Sequence, residues 1–331
     1  MKPKKPKDAR LIITSLAVAM PLEDAMRNYI DAFSGNENTR KAKRHDCGNF
    51  LAFVTRSVFR APLLVDVTTG MIQKWCRDLC ASEAPATAAR RIATIKHFCN
   101  EASQDCEDWK NPARGIKSPR IVASPPKSLG KKELAKLLLQ ARYVGNTEAA
   151  RARNYAIIVM AFATGLRNAE LCDLQIGQLT DRGTIIRGVK GKGQVYSDVW
   201  LNDRAVAALS EWLELREAML MEHDERYPTL SEQTKARYPI FISGNGAKAG
   251  APLTYRVNEK TVWRIFAAAG DAAGIDMHPH KARHTFARRY YEASGKDIVR
   301  TCEAMRHANV NTTMRYAKPT EDEVRAVYQH I

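Results

Sequence analysis

The chain has 331 residues, with 52 Lys and Arg against 36 Asp and Glu, a formal net charge of +16. That length suits about two domains, each large enough for its own core, and the excess of positive charge points to a polyanionic partner, nucleic acid foremost. Seven cysteines without a C-x-x-C pair argue against a disulfide framework or a zinc ribbon, and no apolar run approaches the ~20 residues of a membrane span.

Residues 1–20 read as a tail, basic at its start. Lys2 to Arg10 followed by a fairly apolar stretch imitates a secretory signal. The basic remainder and the odd cysteine count argue against that, and the expectation is a cytoplasmic, nucleoid-associated protein with reduced, mostly buried thiols. Residues 21–115 read as the first domain, with a helical pattern from Pro21 to about Ser103. Leu22, Met26, Tyr29, Ile30 and Phe33 line one face, and Ile72, Trp75, Cys76 and Leu79 keep helical spacing. Ile92, Ile95, Phe98, Cys99 and Ala102 do the same for a helix expected to begin near Thr87. The reading is an all-α domain of four helices. Opposite the last apolar stripe stand Arg90, Thr94, Lys96 and His97 between small alanines, a face suited to approaching a DNA backbone or groove. A solvated helix face accounts for the pattern equally well. Arg40, Lys43 and Arg44, with Lys41, are a weaker basic cluster of the same kind.

Residues 116–127 read as a linker, since Pro119, Pro125 and Pro126 cannot continue a helix. Its lysines and arginine suit a strap along DNA. The second domain, 128–331, opens with Ser128 as an expected helix cap and Leu134, Leu137 and Leu138 as an apolar side. A buried helix through Tyr155 to Thr164 stops at Gly165. Strand-like stretches at 184–189 and 195–201 flank a Gly-Lys-Gly turn and read as a β-hairpin. The rest is expected to be mainly helical. The fold class is therefore mainly α with a small antiparallel sheet.

Several residues can do chemistry on a phosphodiester. Extra negative charge develops on the non-bridging oxygens during such a reaction, and planar, permanently charged guanidiniums suit it. Arg167 and Arg283 are the candidates. For Arg167 the alternative is a salt bridge to Glu170, one turn later. His280 and Arg283 are spaced to share a helix face, so both can address one phosphate, and His280 can take a proton. His307 can donate to a phosphate oxygen. His278 and His284 read as structural. His280 and His284 have workable metal spacing, but neither an intervening carboxylate nor a third ligand accompanies them, so no metal or other cofactor is expected. Lys190 and Lys192 flank Gly191, and either ammonium can serve as a general acid. Tyr316 is the candidate nucleophile. It needs activation, because a free phenol ionises only near pH ~10. Tyr290 and Tyr291, by their apolar helical setting, suit packing.

The stretches 163–171, 191–193, 280–287 and 307–316, in this order, resemble the catalytic domain of the tyrosine recombinases, the phage-integrase family. The all-α first half, Asn111-Pro112 before the linker and the leucine-rich start of the second domain are similar to the family too, so the resemblance runs from Pro21 nearly to the end. It implies an N-terminal core-binding domain and an α+β catalytic domain, and it places the catalytic lysine at Lys192. It also implies a site-specific recombinase. The domains would clamp double-stranded DNA, and Tyr316 would form a 3′-phosphotyrosyl link. Four protomers on two sites would exchange strands through a Holliday junction, with accessory DNA-bending proteins neither required nor ruled out by the residues. The tail after Tyr316, with Val324, Val327 and Tyr328, is expected to dock on a neighbouring protomer. Alternatives are type IB topoisomerase-like relaxation, a catalytically idle DNA-binding protein and a metal-dependent nuclease. The chain departs from the family at Arg306, where glycine is common before the second histidine, and at Lys281, a frequently acidic position. Arg306 leaves the geometry of that turn to be determined.

Overall fold

Helical spacing of apolar residues dictates the first elements. Pro21 precedes α1 (Leu22–Asp31), and α2 (Glu37–Val58) is capped by Asn36, whose side chain accepts from the backbone of Thr39. α3 (Thr69–Ser82) is capped in the same way by Thr68. α4 (Pro85–Asp105) begins at its proline, earlier than the apolar stripe alone suggests. Proline fits there because the first helical N–H has no partner to lose. The structure, a computed structural model, describes residues 19–105, 109–120, 127–180, 182–191, 195–243, 256–317 and 321–329. It divides into two compact units between Ala123 and Ser124.

In the first unit the inward faces of the four helices meet in one core that includes Leu22, Phe50, Ile72, Trp75, Ile92 and Phe98. Phe50 and Trp75 pack edge to face at 4.9 Å between centroids, worth about 1 kcal/mol beyond the area they bury. Cys47 and Cys99 are buried in this unit and Cys172 in the second; Cys76 and Cys302 are half-buried and Cys80 is exposed.

In the second unit α5 (Lys131–Ala141) begins later than expected. Glu133 accepts the backbone N–H of Gly130 at 2.8 Å and caps the helix, while Leu129 N–H donates to Thr285. Ser128 is thus not the cap: the residues before the helix are tied to a distant helix instead. α6 (Glu148–Thr164) is partly exposed in its first turn and buried on all sides from Asn154 to Phe162, as its near-continuous apolar run requires. α5, α8 (Asp203–His223), α10 (Glu259–Ala273) and α11 (Pro279–Ala293) pack around it. Between α6 and α8 lie the short α7 (Asn168–Cys172) and the hairpin of β1 (Ile185–Lys190) and β2 (Tyr196–Trp200), antiparallel with Ile185 opposite Trp200 and Lys190 opposite Tyr196. A bulge between Ile186 and Val189 contains Gly188, at φ +60°. Beyond α8 come α9 (Glu232–Ala236), α10 and α11, then α12 (Ile298–Ala304), α13 (Met314–Ala317) and α14 (Glu321–Tyr328). No helix among the described residues is long and apolar enough to cross a membrane.

Candidate active site

The site begins where α6 ends. Gly165 leaves the helix in the left-handed conformation, φ +60°, and a Cβ there would stand 2.2 Å from the Phe286 ring. Glycine satisfies both demands at once. The turn delivers Arg167 to the start of α7. Glu170 caps that start: its Oε2 accepts the Arg167 backbone N–H at 2.9 Å, and its Oε1 accepts from the Arg167 guanidinium at 2.5 Å. Arg306 reaches the same carboxylate from after α12, with Nη2 3.3 Å from Oε2. Burial by itself would raise the Glu170 pKa, but the Arg167 backbone and guanidinium and the charge of Arg306 outweigh it and hold the carboxyl below its usual range.

Arg283, from α11, is 5% exposed. One terminal nitrogen donates to the carbonyl of Gly165 and the other to that of Met305, the latter at 2.6 Å. Carbonyl partners orient a guanidinium without cancelling its charge. Burial, then the nearby charges of Arg167 and Arg306, bring its pKa down to about 10, so it remains a cation at neutral pH.

Tyr316, on α13, is 4% exposed and packs against Phe286, Ala287 and Met305. Its hydroxyl is 2.6 Å from His284 Nδ1. Burial raises the phenol pKa, opposed by the charges of Arg315 and Arg283. Burial and the cations around it push His284 down to about 4, so at neutral pH it is uncharged and able to accept from the phenol. His307 is also lowered to about 4, by burial and then by Arg283, Arg167 and Arg306, and its Nδ1 lies 2.8 Å from the Thr313 hydroxyl. His280 is exposed on α11; desolvation, then the charges of His278, Arg283 and Arg167, lower its pKa. The cations, imidazoles and phenol named here thus act on one another in one electrostatic neighbourhood.

Three residues take roles beyond those the sequence suggested, although the Arg167–Glu170 salt bridge itself was among its alternatives. His284, read as structural, is the hydrogen-bond partner of the Tyr316 hydroxyl. Its one available signal was its place one helical turn past His280. Glu170 is both the salt-bridge partner of Arg167 and the cap that orients it. Arg306 adopts φ +52°, the region that favours glycine, and completes the cluster around Glu170. His278 caps α11 through Nδ1, 3.2 Å from the Lys281 N–H. Among the described residues no three His, Cys, Asp or Glu side chains are grouped to hold a metal ion.

Lys192 lies outside the described residues. Next to it, Gly191 N–H donates to Val195 O at 2.8 Å, and a Cβ on Gly191 would stand 4.0 Å from Glu170 Oε1. Lys190 is exposed and lines, with Glu170, Tyr196 and Arg256, a cavity of about 580 Å³.

The expected outer face of α4 needs correction. Thr94 is buried and donates to Asp46 at 2.9 Å, because the fully buried Asp46 carboxylate requires partners. Arg90 pairs with the same carboxylate while remaining partly exposed. Lys96 is half-buried and donates to Ile116 O at 2.6 Å. His97 is exposed beside the Tyr29 ring. In the other basic cluster Arg40 donates to Phe33 O at 2.7 Å and Lys43 sits over the Tyr29 ring, whereas Arg44 is exposed.

A model of the phage integrase family matches residues 127–323. The chain is 28% identical over 257 residues to tyrosine recombinase XerC of Corynebacterium efficiens, covering 77% of this chain and 74% of that protein. It is 30% identical over 232 residues to tyrosine recombinase XerC of Corynebacterium glutamicum, covering 70% and 67%. The fold is similar to that of XerH site-specific recombinase bound to a palindromic difH substrate, with a TM-score of 0.69 and 20% identity over 93% of this chain and 83% of that one.

Proposed function

The chain belongs to the phage integrase family, and we propose that it is a site-specific DNA recombinase that cuts and rejoins duplex DNA through a 3′-phosphotyrosyl link on Tyr316. The observation that carries this reading is the Tyr316 hydroxyl, paired with the neutral imidazole of His284 and lying within the field of Arg283.

The phenolic oxygen attacks the scissile phosphorus. A Tyr316 O–P bond forms, the P–O5′ bond breaks, and the phenol proton passes to His284 or His280. The leaving 5′ oxygen takes a proton from Lys192. Arg283 and Arg167 bind the non-bridging oxygens as charge grows on them. With the His307 Nδ1 engaged by Thr313, its Nε2 is the nitrogen left to donate to the phosphate. The new ester keeps the free energy of the broken one, so a 5′ hydroxyl from a second duplex can resolve it without ATP. Two such rounds, through a Holliday junction and four protomers on two sites, complete the exchange. The exposed Val324, Val327 and Tyr328 of α14 provide an apolar surface for a neighbouring protomer.

Suicide-substrate trapping tests the chemistry. A nicked duplex that loses its 5′ hydroxyl after cleavage should leave a covalent adduct that maps to Tyr316, persists in excess EDTA and is absent from Tyr316→Phe. An adduct on another residue would refute the assignment.

A further inference from the structure

We propose that Arg306 is a positioning residue of the cleavage site: it binds the far side of Glu170 and offsets that carboxylate, so that Arg167 meets the scissile phosphate as an uncancelled cation. This role presupposes the phosphotyrosyl chemistry proposed above.

Arg306 is costly to the fold in three separate ways. Its backbone lies at φ +52°, where an L side chain is strained. Its side chain is 9% exposed, so a full charge has been taken out of water. Its Nε is buried without a hydrogen-bond partner. Strain, a buried charge and an orphan donor on one residue are tolerated where function requires them. Of its two terminal nitrogens, Nη1 donates to Ala304 O at 3.2 Å, a contact within its own turn. Nη2 takes Glu170 Oε2 at 3.3 Å.

Glu170 explains why such a residue is needed. The carboxylate grips Arg167 through both its backbone and its guanidinium, which orients Arg167 and also neutralises it. Arg167 and Glu170 together carry no net charge. With Arg306 the three sum to +1, because two guanidiniums share one carboxylate. The orientation is kept and the positive charge is restored. The charge of Arg306 also reaches Arg283 and His307, the other cation and one of the imidazoles of the site.

The test measures single-turnover adduct formation on the suicide duplex, beside DNA affinity at fixed salt. Arg306→Met keeps the apolar stem and the backbone strain but removes the guanidinium and its charge. Arg306→Lys keeps the charge. Arg306→Gly removes the charge and relaxes the backbone, so it serves if the methionine variant does not fold. Met and Gly are expected to slow adduct formation roughly tenfold to a hundredfold, less than the ~10²–10³ for losing a donor that touches the developing charge itself. Affinity should change by less than about twofold, and Lys should retain most of the rate. In a Glu170→Gln background, where no carboxylate needs offsetting, the loss from Arg306→Met should shrink to about threefold or less. Equal rates for wild type and Arg306→Met, or the same loss with and without Glu170→Gln, would overturn the role. An absence of adduct in the wild type strikes the proposed function itself, a result distinct from either.

Discussion

The hydrogen bond from Tyr316 to His284, 2.6 Å long, joins the candidate nucleophile to an imidazole that is neutral at pH 7. Its strength as an acceptor depends on staying unprotonated. As pH falls toward the His284 pKa of about 4, Nδ1 takes a proton, no longer accepts from the phenol, and the rate of adduct formation should decline. Above pH 6 this group should leave the rate flat. His284→Leu should lower the single-turnover rate about 10²-fold or more at pH 7 and abolish that acid limb. A rate and pH profile unchanged by the substitution would show the contact to be packing alone. Arg167, Arg283, His280, His307 and Tyr316 were singled out by their chemistry toward a phosphodiester and by stretches that resemble the family in order, and their charges act on one another in the structure. His284 was not, since an imidazole beside Arg283 in the sequence carries no sign that a tyrosine from α13 will reach it.

Gly165 shows how an element boundary can hold a site together. It ends α6, turns the chain toward Arg167, makes room for Phe286 and offers its carbonyl to Arg283. Gly165→Ala combines a strained φ with a Cβ 2.2 Å from an aromatic ring. It should cost about 2–4 kcal/mol and lower the thermal midpoint by roughly 5–10 °C, with slower adduct formation in the protein that remains folded. An unchanged midpoint in a melting curve would mean that Phe286 yields without penalty. The helices and the hairpin were readable from their periods, and Gly165 from its place after an apolar run. The caps were less so. Ser128 has the right residue type, yet Glu133 caps α5 from inside because Leu129 is drawn away to Thr285. Thr94 belongs to the polar side of α4 by pattern, yet it faces inward because Asp46 of α2 is buried opposite it.

For the whole molecule, a net charge of +16 predicts binding dominated by phosphate contacts. The logarithm of the DNA association constant should fall with the logarithm of salt concentration with a slope of about −5 or steeper, as several neutralised phosphates require. A slope shallower than about −2 would detach the charge excess from DNA binding. The sequence by itself determined the mainly helical composition, the hairpin, the basic character and the order of the candidate phosphate-binding residues, because period, charge and residue chemistry are properties of local segments. Only the tertiary structure decided which cations are cancelled and which are not. The Arg167–Glu170 pair follows from spacing, but Arg306 and His284 take their roles from contacts across α7, α11, α12 and α13, and a side chain's effect there depends on what lies within a few ångströms of it, which spacing along the chain does not record.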